Sequence, residues 1–463
     1  MDDDKLHEEC GVFGVFCNDH GKDIIPMVYR GLFSLQHRGQ ESAGIAAVKD
    51  RQIQIHKGMG LVSHVFSPGI LSQINSYAAL GHVRYSTDTS NILENAQPFV
   101  RRFTHGSLAA AHNGALTNAG AVRELLEDSG IGFTSFSDGE IILNLIAKNY
   151  KKGLEKALCD TVQTIRGSFA LLALTDDALM GARDPNGIRP LCLGQFGGGW
   201  MLSSESCAIE AAGGVFVRDI EPGEAVIINR EQVRSFRFGE EAKQAVCAFE
   251  YVYFARSDST IDGVDVYRSR ISAGETLGRE AAVEADLVIG VPDSGVPAAI
   301  GYGRATNTPF GTGIVKNKYI ARTFILPGQA ARKEGVSLKH FVLREEVRGK
   351  KVVLIDDSIV RGTTSRHLVS ILKAAGAKEV HIRICSPPVR FPCYFGIDTP
   401  HREDLISNAA SHDELCKSLG ADSLAFISVN GLLGALFPAD NRNAGFCLGC
   451  FTGEYPVPAM HLK

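Results

Sequence analysis

The sequence lacks any long hydrophobic run. No apolar stretch approaches the roughly 18 residues that a membrane-spanning helix needs. The N-terminus reads Met-Asp-Asp-Asp-Lys, which is acidic and has no apolar core of a secretory signal peptide. These absences argue against a membrane partner and against export, so a cytoplasmic enzyme is expected.

Blocks of positive charge are also missing. The 48 lysines and arginines are outnumbered by 52 acidic residues, which gives a net charge of −4. Proteins that bind nucleic acids usually carry a basic patch or stripe, and no Lys/Arg block supplies one here. No nucleic-acid partner is therefore expected.

The cysteines do not indicate a disulfide framework. There are eleven, an odd number, and in a cytosolic chain catalysis or metal binding explains cysteines better than disulfides do. Six are interpreted as small, mostly buried apolar residues: Cys17, Cys159, Cys192, Cys207, Cys385 and Cys416. The other five are Cys10, Cys247, Cys393, Cys447 and Cys450.

The length of 463 residues suggests two large domains. Up to about residue 239, short strands are predicted between glycine-rich turns, at residues 11–16, 45–48, 81–85, 109–112, 169–174 and 225–228. Few helices interrupt them; one is predicted at 137–148, where Ser137 and Glu140 suggest a capping box. Beyond a boundary near 235–250, strands within 281–291, 309–315, 351–355 and 380–384 alternate with helical patterns, which predicts a parallel sheet covered by helices.

The most specific motif lies at residues 352–364, which read Val-Val-Leu-Ile-Asp-Asp-Ser-Ile-Val-Arg-Gly-Thr-Thr. The apolar run predicts a buried parallel strand, and the spacing after Thr363 predicts a helix that ends near Gly376. Free backbone N–H groups and the positive end of a helix favour a phosphate at such a junction. Asp356 and Asp357 add acceptors for the vicinal hydroxyls of a ribose, so the motif predicts a site for a phosphorylated pentose.

This segment resembles the phosphoribosyl-diphosphate (PRPP) loop of the type I phosphoribosyltransferases. The resemblance implies that Asp356 and Asp357 hold the ribose hydroxyls. It also implies that the 5′-phosphate is wrapped by the next seven residues: Ser358, Ile359, Val360, Arg361, Gly362, Thr363 and Thr364. The acceptor stays open, because that family uses many nucleophiles.

A second set of polar residues lies in the N-terminal half. Cys10 precedes a predicted strand, and Arg84 can hold a carboxylate with two hydrogen bonds. Asn113 and Gly114 offer an amide and an unhindered N–H to a developing oxyanion, and Asp138 can receive an ammonium at a helix start. Each residue alone has an ordinary structural explanation, but packing does not explain the combination.

Together with the run Leu-Gln-His-Arg-Gly-Gln-Glu-Ser-Ala-Gly at 35–44, this set resembles the glutamine amidotransferase domain of the N-terminal-nucleophile (Ntn) hydrolases. The resemblance implies that Cys10 attacks the glutamine amide and that Asn113 and Gly114 form the oxyanion hole. Arg84 and Asp138 would bind the carboxylate and the amino group of glutamine. A terminal amine has a pKa of about 7.7–8.0 and suits the role of base for the thiol, so residues 1–9 are expected to be a propeptide.

Joined in one chain, the two sites resemble the amidophosphoribosyltransferase family over almost all of residues 10–455, including the runs at 184–191, 290–295 and 318–325. The resemblance implies that ammonia from glutamine displaces pyrophosphate from PRPP to give 5-phosphoribosylamine, the first committed step of purine synthesis. It implies an αββα Ntn-hydrolase glutaminase domain (α+β) at 10–240 and an α/β type I phosphoribosyltransferase domain at 241–463. A homotetramer and feedback inhibition by purine nucleotides are further expectations.

The same resemblance supplies two further ligand sets for the PRPP site. Lys318 and Arg322 would lie on a mobile loop that closes over PRPP. Magnesium would bridge oxygens of the pyrophosphate and the ribose, with Ser294, Asp356 and Asp357 as near ligands.

Four cysteines suggest a metal centre. Cys447 and Cys450 form a C-x-x-C pair without a second such pair, and Cys247 and Cys393 bring the number of thiolates to four. By residue type they suit either zinc or an iron–sulfur cluster, and their spacing cannot choose. The resemblance to the family subset with a propeptide favours a [4Fe–4S] cluster that ties the start of the second domain to the C-terminal tail.

Two other functions stay open on the sequence. A PRPP-sensing regulator without transferase activity would need a DNA-binding element and a basic face, and the sequence shows neither. Another glutaminase fusion, one that makes aminosugars or glutamate, would lack the loop at 356–364.

Overall fold

The computed structural model describes residues 10–85, 91–104, 106–238, 242–317, 340–399, 401–437 and 445–458. The expected propeptide at 1–9 lies outside these residues, as do Lys318 and Arg322 on the predicted loop. Across the described ranges, every helix is too short or too polar to cross a membrane.

Two antiparallel sheets form the first half of the molecule. Their strands are β1 (Gly11–Cys17), β2 (Ser42–Lys49), β3 (Gln52–Met59), β4 (Ala78–Arg84), β5 (Phe99–Phe103), β6 (Gly106–Leu116), β7 (Gly167–Leu174), β8 (Ala178–Arg183), β9 (Cys192–Phe196), β10 (Gly199–Ser203), β11 (Val215–Asp219), β12 (Glu224–Asn229) and β13 (Val233–Arg237). One sheet has the order β11-β9-β10-β1-β4-β2-β3, and the other β13-β12-β8-β7-β6-β5.

Helices cover both outer faces of this sandwich. They are α1 (Ile25–Ser34), α2 (Val62–Val65), α3 (Pro68–Leu71), α4 (Ala119–Asp128), α5 (Asp138–Asn149), α6 (Leu154–Thr164) and α7 (Ser206–Ala211). Alternate residues of β1 point to opposite faces: Val12 and Phe16 pack between the sheets, whereas Phe13 and Val15 pack outward in the cluster that contains α1. Helices α5 and α6 cover the second sheet, so the expected αββα arrangement is confirmed.

The sequence interpretation was wrong at the start of α5. Ser137 does cap the helix, but its hydroxyl accepts from the N–H of Gly139. The Glu140 carboxylate does not complete a capping box; it accepts hydrogen bonds from the N–H groups and hydroxyls of Thr134 and Ser135. Glu140 therefore closes the preceding turn.

A four-stranded parallel sheet organises the second half. Its order is β17-β20-β21-β22. The strands of this half are β14 (Val246–Cys247), β15 (Thr260–Ile261), β16 (Val264–Asp265), β17 (Leu287–Gly290), β18 (Ile314–Lys316), β19 (His340–Val342), β20 (Lys351–Asp356), β21 (Glu379–Ile384), β22 (Ser423–Phe426) and β23 (Phe446–Cys447). The strand predicted within 309–315 joins this sheet at its start, where Phe310 forms a parallel bridge with Val288 of β17. The prediction is wrong for its later residues, because β18 pairs antiparallel with β19 in a separate ribbon.

The helices of this half pack on the two faces of the parallel sheet. They are α8 (Val266–Glu280), α9 (Gly295–Thr306), α10 (Arg344–Val347), α11 (Thr363–Ala374), α12 (Ile406–Ala409), α13 (His412–Leu419), α14 (Val429–Leu436) and α15 (Gly449–Thr452). Val353 and Ile355 of β20 face the cluster that contains α8 and α9, whereas Val352 and Leu354 face α11. The predicted α/β organisation is thus confirmed.

Both ends of the second half meet in one short ladder. Strand β14 pairs parallel with β23, so that Val246 lies opposite Phe446 and Cys247 opposite Cys447. The last strand of the first half, β13, ends at Arg237. The exact domain limit at 240/241 stays a prediction.

Candidate active site

Cys10 lies at the start of β1, beside the end of β4. The register pairs Gly11 with Val83, which places Cys10 next to Arg84 and Tyr85. The partly buried thiol donates to the Tyr85 carbonyl oxygen at 3.7 Å. Burial raises the pKa of the Cys10 thiol, and the Arg84 guanidinium opposes part of that rise. A thiol in this environment needs a base before it can act as a nucleophile.

Asn113 and Gly114 lie near the end of β6, where β6 pairs with β7. Asn113 is 1% exposed, and its Nδ2 has no hydrogen-bond partner among the described residues. Gly114 has a φ of +137°, and a Cβ there would lie 2.2 Å from the Ser168 carbonyl oxygen. The site thus offers a buried, unused amide donor next to a position that only glycine fits, as an oxyanion hole requires.

Two hydrogen bonds connect β6 to the other parts of this site. The His82 imidazole on β4 lies 3.2 Å from the His112 carbonyl oxygen, which joins the strand of Arg84 to the strand of Asn113 across the sandwich. Asp138, the first residue of α5, accepts from the N–H of Leu116 at 2.8 Å. Burial raises the pKa of Asp138 to about 6. The elements that carry Arg84, Asn113, Gly114 and Asp138 therefore converge.

The phosphate loop lies between β20 and α11, as predicted. Asp356 ends β20, and Gly362, with a φ of +78°, precedes the first turn of α11. Asp356, Asp357 and Ser358 are almost fully buried. The side chains of Ile359 and Val360 pack into the two cores that flank the sheet. Only their backbone is thus offered to a phosphate, while Arg361, Thr363 and Thr364 complete the turn.

Ser294 follows the neighbouring strand β17, which pairs in parallel with β20. Its hydroxyl donates to Asp357 Oδ2, and Ser358 donates to Asp357 Oδ1 at 2.7 Å. The structure therefore brings together all three residues expected near magnesium, because the carboxyl ends of adjacent parallel strands share one edge of the sheet.

Arg38 is a residue of the site to which the sequence interpretation gave no role. Its Nε donates to the Cys10 carbonyl oxygen at 3.2 Å. Its Nη1 donates to Glu205 at 2.6 Å and its Nη2 to Glu250, from the second half, at 2.7 Å. Although burial opposes it, the two carboxylates raise the pKa of Arg38. The signal was present, since Arg38 lies in the glutaminase-like run at 35–44.

Two domain families and several full-length relatives match the chain. Residues 82–211 match a glutamine amidotransferase domain, and residues 274–386 a phosphoribosyl transferase domain. The chain is 46% identical to amidophosphoribosyltransferase of Bacillus subtilis (strain 168), over 98% of this chain and 95% of that protein. It is 48% identical to amidophosphoribosyltransferase of Archaeoglobus fulgidus, over 97% of this chain and 98% of that protein.

The chain belongs to the amidophosphoribosyltransferase family.

Solved structures agree with this assignment. The glutamine phosphoribosylpyrophosphate (PRPP) amidotransferase from B. subtilis, complexed with ADP and GMP, matches with a TM-score of 0.91 at 45% identity, over 98% of this chain and 99% of that one. A structure described as the allosteric regulatory enzyme of purine biosynthesis matches with a TM-score of 0.92 at 45% identity, over 98% of this chain and 97% of that one. The predicted amidophosphoribosyltransferase activity in purine biosynthesis is confirmed, in preference to a PRPP-sensing regulator.

The four cysteines of this family member come from three separate segments that meet. Cys247 lies opposite Cys447 in the β14–β23 ladder. Arg390 and Phe391 donate their N–H groups to the Cys450 carbonyl oxygen, which brings the Cys393 segment alongside. Cys393 Sγ accepts from the N–H of Phe395 at 3.3 Å. After burial, which raises the pKa of Cys450 most, Cys393 and Cys447 raise it further, so these thiols are electrostatic neighbours.

Within the described ranges, no group of three or more His, Cys, Asp or Glu side chains has the spacing of a ready-made metal site. The donor set nevertheless fits a four-thiolate centre, because the segments that carry the four free cysteines meet and the Cys393 sulfur already accepts an N–H hydrogen bond.

Proposed function

We propose that this amidophosphoribosyltransferase works with two sites whose residues are those predicted from the sequence. The Cys10 thiolate attacks the glutamine amide, ammonia leaves, and water hydrolyses the resulting thioester to glutamate. Ammonia then attacks C1 of PRPP, pyrophosphate leaves, and loss of a proton gives 5-phosphoribosylamine. The observation that best supports the first site is the buried Asn113 Nδ2, which has no partner in the part of the chain that the structure describes; a stabilised oxyanion would satisfy it.

The substrate-binding residues divide between the two reactions. Arg84 and Asp138 bind the carboxylate and the ammonium of glutamine. Asp356 and Asp357 bind the ribose hydroxyls, and backbone N–H groups of 358–364 bind the 5′-phosphate at the start of α11. Lys318 and Arg322, outside the described residues, are proposed to bind the pyrophosphate.

A terminal amine at Cys10 completes the nucleophile. The raised thiol pKa calls for an adjacent base, and a free α-amine on Cys10 titrates at about 7.7–8.0. We therefore propose that residues 1–9 are removed from the active enzyme. Intact-mass analysis should find a chain that begins at Cys10, and fully active protein that begins at Met1 would contradict this.

Replacing the nucleophile tests the two-site scheme. Cys10→Ser should lower glutamine-dependent formation of phosphoribosylamine by about a thousandfold or more, since a nucleophile and its base act as a unit. Activity with added ammonium should be unchanged, because the PRPP site is intact. Asp357→Ala is the matched control and should impair both activities. A folded Cys10→Ser protein that lost both activities would contradict separate sites.

Two metals are proposed for the phosphoribosyltransferase half. Mg²⁺ held near Ser294, Asp356 and Asp357 would supply charge neutralisation for the departing pyrophosphate. Cys247, Cys393, Cys447 and Cys450 would hold a [4Fe–4S] cluster with a structural role. The pairing of β14, near the start of the second half, with β23, near its end, supports a clip between the domain start and the C-terminal tail.

Metal analysis of one anaerobic preparation tests both assignments. The protein should be brown and contain about four iron atoms per chain, as one cluster requires. EDTA should abolish PRPP use with either nitrogen source, and added Mg²⁺ should restore it. A colourless, iron-free protein would contradict the cluster, and full activity in EDTA would contradict magnesium.

We also propose how the enzyme is regulated and assembled. Because the B. subtilis structure carries ADP and GMP, we propose purine nucleotides as inhibitors, and the family resemblance supports a cytoplasmic homotetramer. Purine nucleotides without effect on the initial rate would contradict the first proposal. A monomer by light scattering, or activity in a membrane fraction, would contradict the others.

A further inference from the structure

The turn that follows Cys393 reaches into the glutaminase half. Gly396, in the second half of the chain, lies against the backbone of Gly114. A Cβ built on Gly396 would be 3.0 Å from the Gly114 carbonyl carbon and 3.2 Å from its Cα. Gly396 also has a φ of +102°, which favours glycine. No side chain fits there without moving the backbone of a proposed oxyanion-hole residue.

The neighbouring carbonyl fixes this contact. The Phe395 carbonyl oxygen accepts from Ser168 Oγ at 2.8 Å and from Arg189 Nε at 2.9 Å, and Arg189 Nη2 donates as well. Ser168 and Arg189 are fully buried members of the first half. A carbonyl with three buried donors is firmly placed. The Phe395–Gly396 peptide is therefore held in a fixed position against the glutaminase domain.

Ser168 also contacts the end of β6, the strand that carries the proposed oxyanion-hole residues. Its Oγ also accepts from the N–H of Ala115 at 3.3 Å, next to Gly114. The N–H of the next residue, Leu116, donates a hydrogen bond to the Asp138 carboxylate. The end of β6 thus depends on contacts with β7, α5 and the turn from the second half.

We propose that Gly396 and the Phe395 carbonyl are positioning elements for the oxyanion hole, so that the second domain holds the Gly114 N–H where the oxyanion develops. This rests on the proposed roles of Cys10, Asn113 and Gly114. An oxyanion donor acts mainly on the transition state, so its displacement lowers kcat more than it changes substrate binding. Glutamine hydrolysis then requires a docked second domain through a contact outside the PRPP loop.

Gly396→Ala tests the proposal. The kcat for glutamine hydrolysis should fall by about 10- to 100-fold, because small misplacements of catalytic groups have costs of this order. The KM for glutamine and the ammonia-dependent activity should change less than about twofold, since the variant leaves those contacts in place. Gly349→Ala is the matched control: it also has a positive φ, +72°, but its Cβ would meet nothing within 4 Å.

Ser168→Ala provides a second variant with less risk to folding. It removes one donor to the Phe395 carbonyl and the acceptor of Ala115, so it should show a smaller loss with the same selectivity. Affinity for glutamate γ-semialdehyde provides a further readout. The Cys10 sulfur adds to this aldehyde and the thiol proton moves to oxygen, so the adduct uses the hole; its affinity should fall with kcat, whereas affinity for glutamate should not.

Two results would overturn the proposal. One is a kcat for Gly396→Ala equal to that of Gly349→Ala. The other is an equal loss of glutamine- and ammonia-dependent activity in both Gly396→Ala and Ser168→Ala, which would indicate a general folding defect. If the unaltered enzyme failed to hydrolyse glutamine, the proposed site itself would be wrong. This failure is distinguishable from the others, because it is measured on the enzyme without any substitution.

Discussion

Asp138 shows at the scale of one residue how burial sets a working pH range. Asp138 is half-buried at the first turn of α5, and this burial raises the pKa of its carboxyl group to about 6 although the Leu116 N–H opposes the rise. The charged form is the one that can bind the ammonium of glutamine. As pH falls through about 6, the carboxylate takes up a proton and its attraction for the ammonium is lost.

We predict that protonation of Asp138 produces an additional break near pH 6 in the plot of kcat/KM for glutamine against pH. Below that break, kcat/KM for glutamine should fall by about a further tenfold for each pH unit, because one essential negative charge is being lost. Asp138→Asn should have a higher KM for glutamine than the unaltered enzyme above about pH 6, and should lack the break. An unchanged pH profile in Asp138→Asn would show that another group titrates there.

At the scale of elements, the sequence was most informative where strand and helix patterns meet in a specific motif. The strand–loop–helix at 352–364 was predicted almost to the residue, because a short buried strand, two acids and a phosphate-type turn leave few alternatives. The glutaminase site residues were predicted by residue type and by resemblance, and the αββα sandwich brings their elements together; they are Cys10, Arg84, Asn113, Gly114 and Asp138.

Errors arose where tertiary contacts decide between local options. Glu140 could bond either to its own helix start or to the preceding turn, and the folded chain places Thr134 and Ser135 within its reach. Strand β18 carries the pattern of a sheet member, yet it pairs with β19 outside the parallel sheet. Neither choice is encoded in spacing along the chain. The contact between Gly396 and Gly114 was invisible for the same reason.

At the scale of the whole molecule, a buried ionic network joins the two halves beside the nucleophile. Arg38 binds the Cys10 carbonyl and Glu250 together, and Glu250 opens the π-helical turn Glu250–Phe254. The carbonyls of Tyr251 and Tyr253 in this turn accept from Arg270. Burial lowers the pKa of Arg270 to about 10, and Asp357 of the PRPP loop is the first of the acidic groups that oppose this.

We expect this network to couple the two sites. Breaking a buried ion pair leaves an uncompensated charge, at a cost of about 3–5 kcal/mol, so neither half can separate or rotate freely around Arg38. Asp357 acts electrostatically on Arg270, which bonds to the turn opened by Glu250, and Glu250 and the Cys10 carbonyl share Arg38. We therefore expect PRPP to control when glutamine is hydrolysed.

The most direct test measures glutamate and pyrophosphate in the same reaction, with and without PRPP. Glutamine hydrolysis should be slow without PRPP and should rise at least about tenfold when PRPP binds, the size of an ordinary coupling free energy. Each glutamate should then be accompanied by one pyrophosphate. Glutamate formed at the same rate in both conditions, or formed with PRPP but without pyrophosphate, would contradict the account.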